Sequence, residues 1–261
     1  MKRILFLLLL VPVLSWAQSP FDGTWKVDLS KSKFPKKPDE YLLKDGMYEC
    51  KTCKPEIRVK ADGQMQAVSG DPYYDMRMVK VVDDKHVESA ATKGGKDAAK
   101  WTMAVSDDGN TLTTNWSYYG NPSGGPVTGT DTETRVGKAP AGAHAISGSW
   151  RDAKQDVATS DAVTFTYKTS GGDTLSMTTP TGRQSYTAKL DGKEVPFVGD
   201  PGTTTVSLKR IGDSVEETDY RDGKPISVSK MTVSADGKSM TIEVDDKLHG
   251  TKSTFYAIKQ G

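Results

Sequence analysis

Cysteine, histidine, basic excess and long apolar runs are all scarce in this chain of 261 residues, and each shortage removes a class of function. The two cysteines form a single C-x-x-C, Cys50-Lys51-Thr52-Cys53. Lys54 stands where haem attachment needs a histidine. His86, His144 and His249 lie far apart, without carboxylate or cysteine partners at metal-ligand spacing, so no metal is expected. There is no Gly-rich phosphate loop and no serine elbow. Many aspartates sit beside turn glycines, where they bond the local backbone and make poor acid-base pairs. The chain is therefore expected to be non-catalytic and to need no cofactor. No stretch after the N-terminus approaches the length a bilayer requires, so no transmembrane segment is expected. Without Lys2 and Arg3 the chain has 33 basic and 34 acidic residues, a net charge of −1. With no basic stripe, no nucleic-acid partner is expected; the short cluster Lys31, Lys33, Lys36 and Lys37 reads as a solvated loop face.

What the N-terminus does have is Lys2 and Arg3, an apolar run from Ile4 to Leu14, and small residues at Ser15 and Ala17. This is the pattern of a secretory signal over residues 1–17, which predicts a periplasmic or secreted protein. Behind it one unit occurs twice at an offset of about 129 residues: Asp62-Gly63 recurs as Asp191-Gly192, and Gly70-Asp71-Pro72 as Gly199-Asp200-Pro201. Short alternating segments such as Val163, Phe165 and Tyr167, separated by Asp-Gly or Gly-Gly pairs, have the period of half-buried antiparallel strands. Turn spacing gives each unit about eight or nine strands. The expected fold is all-β, two similar antiparallel up-and-down barrels in tandem, since closure removes exposed edges. The division is expected at 18–138 and 146–261, with the small, Pro/Gly-bearing segment 139–145 as linker and His144 solvated within it.

Each unit opens on a Gly-x-Trp, Gly23-Thr24-Trp25 and Gly148-Ser149-Trp150. This resembles the first-strand motif of lipocalins, and the block from Phe21 to Phe34 is similar to the opening of exported bacterial lipocalin-like proteins. The resemblance implies barrels around ligand cavities, with Trp25 and Trp150 closing one end of each. It also implies a basic residue of the last strand stacked on that tryptophan. Arg135 is placed to do this in the first unit; the aligned position in the second is Tyr256.

A turn centred on Asp108-Gly109 pairs Val105 with Leu112, Met103 with Thr114 and Trp101 with Trp116. The equivalent turn at Asp236-Gly237 pairs Val233 with Met240, Met231 with Ile242 and Ser229 with Val244, which leaves more room in the second unit. Trp101, Met103 and Trp116 are the candidate ligand-binding residues, with an aromatic core plug as the other reading of the same face. Cys50 and Cys53 are expected to form a disulfide, a structural clip rather than a redox centre because no helix N-terminus is readable there. The function expected is binding of a small apolar ligand without chemistry. The alternative is an envelope interaction or structural module with filled barrels.

Overall fold

The computed structural model describes residues 19–120, 125–157, 159–180 and 182–261; the signal expected at 1–17 lies outside them. Among these residues the chain is built almost wholly of strands. In order they are β1 (Gly23–Val27), β2 (Asp39–Lys44), β3 (Met47–Cys50), β4 (Ile57–Lys60), β5 (Gln66–Ala67), β6 (Met76–Val81), β7 (His86–Lys93), β8 (Lys96–Val105), β9 (Thr111–Tyr118) and β10 (Val127–Gly137). There follow β11 (Gly148–Val157), β12 (Thr164–Ser170), β13 (Thr174–Thr178), β14 (Ser185–Lys189), β15 (Asp191–Pro196), β16 (Thr205–Ile211), β17 (Ser214–Arg221), β18 (Lys224–Val233), β19 (Ser239–Asp246) and β20 (Thr251–Lys259). They make two antiparallel sheets of ten strands each, both nearly closed into barrels. Turn chemistry sets the meander. Asp45-Gly46 and Asp222-Gly223 both have positive φ at each residue, the two-residue geometry that matches strand twist, and they link β2 to β3 and β17 to β18. Asp191-Gly192, expected as a turn, instead opens β15 beside an irregularity in its pairing with β16.

The hairpin registers follow the turn arithmetic: Trp101 faces Trp116, Met103 faces Thr114, Met231 faces Ile242 and Ser229 faces Val244. The turns themselves are wider than two residues. Ser106 N donates to the Thr111 carbonyl at 2.9 Å, while the Asp108 carboxylate accepts from Ser106 Oγ at 2.6 Å and Asn110 N at 3.0 Å. Widening on both sides of Asp108-Gly109 leaves the centre, and so the register, unchanged.

Sheet membership crosses the linear division expected at 139–145. The first sheet runs β4-β3-β2-β11-β10-β9-β8-β7-β6-β5, and the second β14-β13-β12-β1-β20-β19-β18-β17-β16-β15. Each Gly-x-Trp strand is thus exchanged: β1 lies between β12 and β20 of the second barrel, and β11 between β10 and β2 of the first. Residues 139–145 lie within the connection, 138–147, between neighbouring strands β10 and β11. The chain crosses between barrels elsewhere, through the 3-10 turn Leu29–Lys31 and the segment after it, and around the 3-10 turn Ser160–Val163. The physical reason is proximity, because a ten-residue connection lets β11 pair at once with the free edge of β10. His144 lies half-exposed in this connection, its Nε2 2.6 Å from the Asp83 carbonyl in the loop after β6.

Each barrel has its own core. Leu43, Val79, Val87, Val105, Leu112 and Trp150 are buried in the first, and Trp25, Leu175, Val206, Leu208, Val215 and Met240 in the second. The repeated Gly-Asp-Pro loops meet between them, where Tyr73 Oη donates to Asp200 Oδ1 at 3.0 Å.

Candidate functional site

One end of each barrel is closed by its exchanged tryptophan. Trp25 and Trp150 are fully buried, and their indole N–H groups donate to the carbonyls of Phe21 and Ile146, both at 2.8 Å. Arg135 Cζ sits 3.9 Å from the ring centre of Trp150, not of Trp25 as linear division implies, and donates to the carbonyls of Gly109, Ser147 and Ala145. The cation over Trp25 is Lys259, with Nζ 5.2 Å from the ring centre, and not a residue at the aligned Tyr256. The motif glycines make room for these cations. Gly23 and Gly148 have φ of 129° and 122°, and a Cβ there would stand 2.5 Å from Lys259 Cε in one case and 2.7 Å from an Arg135 guanidinium nitrogen in the other. Gly-x-Trp is therefore the mark of a stacked barrel end.

Trp101, Met103 and Trp116 share the inner face of the first barrel, and their surroundings are tightly occupied. Arg77 Cζ lies 3.8 Å from the Trp101 ring centre, and Tyr118 meets that ring edge-on at 5.9 Å. Trp116 leans on Gly129, where a Cβ would be 2.2 Å from its ring. Met103 is buried in the core. A groove of about 340 Å³ reaches the two indoles, but Lys100, Thr102, Asn115, Ser117 and Thr130 in its lining alternate with the inward residues and so belong to the outer face of the sheet.

Carboxylates are the interior feature that turn-based reasoning missed. Glu133 pairs with Asp152 across β10 and β11, Asp131 is two residues away on the same face, and Asp39 is opposite Trp150. Glu133 is 4% exposed, its Oε1 has no hydrogen-bond partner, and burial, then repulsion from Asp39, Asp152 and Asp131, pushes its carboxyl up to about 8. Burial likewise raises Asp152 to about 6. Asp131, Glu133 and Asp152 stand mid-strand rather than beside turn glycines. Strand alternation was the available signal, since Asp131, Glu133 and Arg135 must share the face of the closing arginine.

The second barrel holds an open pocket of about 370 Å³. Its mouth is walled by Val27 and Leu29 from the exchanged strand and the turn after it, and by Ala162 and Val163 from the other crossing. Phe165, Met177, Ile242 and Phe255 carry the apolar wall inward to Tyr167, Met231 and Glu217. This is the roomier level that Ser229, Met231 and Ile242 announce in the hairpin register. Glu217 keeps accessible surface although protein surrounds it, because that surface faces the pocket. Its Oε2 accepts from Tyr186 Oη, and Tyr167 Oη donates to Met231 Sδ at 2.9 Å. Burial, with Asp219 adding repulsion, pushes the Glu217 carboxyl up to about 8.

Elsewhere, Cys50 and Cys53 are joined by a disulfide at the end of β3, with Cys50 buried in the first core. His86 and His249 do have carboxylate neighbours, each 2.7 Å from an aspartate three residues earlier, Asp83 and Asp246. No helix among the described residues is long and apolar enough to cross a membrane. In comparison with known proteins the chain matches no family model, and no curated protein matches it significantly.

Proposed function

We propose that this is an exported lipocalin-like protein that holds a small apolar ligand, without chemistry, in its second barrel. The observation that carries the reading is the pocket of about 370 Å³, walled by Val27, Phe165, Met177, Ile242 and Phe255. Ligand pockets have this character: a largely apolar wall, a volume upward of about 300 Å³ and a few polar groups at depth. The signal-like N-terminus and the Cys50–Cys53 disulfide support an oxidising, exported setting. The first barrel fits the second reading, a filled structural module, since Arg77, Tyr118 and Gly129 pack its indole pair.

Fluorescence titration with N-phenyl-1-naphthylamine, an uncharged apolar dye, tests the proposal. Saturable enhancement is expected with the native protein, and its loss in Ile242→Trp, which fills the pocket while keeping an apolar strand residue. Enhancement that survives Ile242→Trp in a folded protein, or none with the native protein, would exclude the second-barrel pocket as the site.

A further inference from the structure

We propose, resting on the pocket reading above, that the ligand is an amphiphilic amine whose ammonium seats on Glu217 and whose apolar tail runs out between Phe165, Ile242 and Phe255. Among the described residues lining the pocket, Glu217 is the one carboxylic acid, and none is a lysine, arginine or histidine. A fatty acid entering head first would bring its carboxylate into a wall that offers no cation to hold it, so the site discriminates against that class.

Among the described residues, the surroundings of Glu217 hold tyrosine hydroxyls but no positive charge. Glu217 and Asp219 lie two residues apart on β17 and point to the same inner face, opposite the apolar Leu208 and Val206 of β16. Toward β18 they face Ser229 and Ser227. The titratable groups around Glu217 are Asp219 on its own strand, Tyr186 on β14 and Tyr167 on β12; Asp200 acts in turn on Asp219. None is a cation. Asp219 Oδ1 is buried without any hydrogen-bond partner, a state that destabilises the empty protein. Tyr186 and Tyr167 both hydrogen-bond Glu217, and the Tyr167 hydroxyl also reaches the Met231 thioether, a weak acceptor. An ammonium brings three donors and the missing charge, and a buried ammonium in turn requires a carboxylate.

Proton balance follows. In the empty pocket Glu217 holds its proton at neutral pH, because burial keeps its carboxyl near 8. An amine arriving as R–NH₃⁺ turns the acid into its carboxylate partner, and the displaced proton leaves to the buffer, close to one per ligand at pH 7. An alcohol of the same length displaces none.

Isothermal titration of the whole mature protein with octylamine, 1-octanol and octanoate, each in two buffers of different ionisation enthalpy at pH 7, separates the outcomes. Octylamine is expected to bind at least tenfold more tightly than the other two and to release close to one proton. Glu217→Gln is expected to remove both the amine's advantage and the proton release while 1-octanol still binds. If 1-octanol or octanoate binds as tightly as octylamine, or octylamine binds with no proton release, the amine assignment falls while the pocket stands. If none of the three binds, the pocket reading falls and takes the assignment with it. The proton count is read on the native protein, so the test does not depend on the variant folding.

Discussion

Replacing Trp150 by alanine should loosen the first barrel although residue 150 belongs to the second sequence repeat. Trp150 is fully buried beneath Arg135, and truncating a buried tryptophan to alanine typically costs 3–5 kcal/mol. Losing the stacked cation, with the Arg135 guanidinium still bonded to three carbonyls, keeps the change clear of the lower end of that range, at about 4 kcal/mol. At 1.4 kcal/mol per factor of ten, local opening of that barrel becomes roughly a thousand times more frequent. Hydrogen–deuterium exchange read by peptide mass spectrometry resolves where. Protection should fall in peptides covering 39–60 and 76–137, which share the first sheet with β11. Peptides covering 164–178 and 205–259 should change far less. Trp25→Ala should give the reverse pattern, because β1 belongs to the second sheet. If Trp150→Ala instead deprotects 164–259 more than 76–137, the strand exchange is wrong.

Stability should fall as pH rises from about 5 to about 8. The unfolded chain releases the Glu133 and Glu217 protons near the ordinary glutamate value, whereas the folded protein holds them to about 8, so the native state binds more protons in that window. Thermal midpoints should flatten above pH 8, and the double variant Glu133→Gln/Glu217→Gln should lose most of the slope; an unchanged slope would show that other groups set it. Gly129→Ala should destabilise the first barrel by about 1–3 kcal/mol in urea melts, since its Cβ would collide with Trp116 and with the Asp156 carbonyl, and a neutral result would show that the indole moves freely. Removing the disulfide as Cys50→Ala/Cys53→Ala should cost only about 2 kcal/mol, because a loop closed at a separation of 3 residues restrains little of the unfolded chain. A cost well above that would point to lost packing of buried Cys50.

Local chemistry made the strands and their registers legible in the sequence. Asp108-Gly109 and Asp236-Gly237 centre their hairpins whatever lies elsewhere, so the facing of Trp101 with Trp116 and of Met231 with Ile242 follows from neighbouring residues alone. The Gly-x-Trp pairs were equally visible as barrel ends. Their choice of barrel was not, because Gly23-Thr24-Trp25 and Gly148-Ser149-Trp150 present the same pattern to any edge and only the path of the chain assigns one to each. The same holds for the interior acids. Nothing in Glu133 or Glu217 taken singly distinguishes a solvated glutamate from a buried one; closing β10 and β17 into barrels is what removes their water and leaves them without cations. The pocket depends on closure too, since Val27 and Leu29 reach Phe165, Glu217 and Phe255 only after the first strand crosses to the second barrel. Turn geometry acts over a few residues and is written there, whereas edge pairing and desolvation depend on segments more than a hundred residues apart meeting in space.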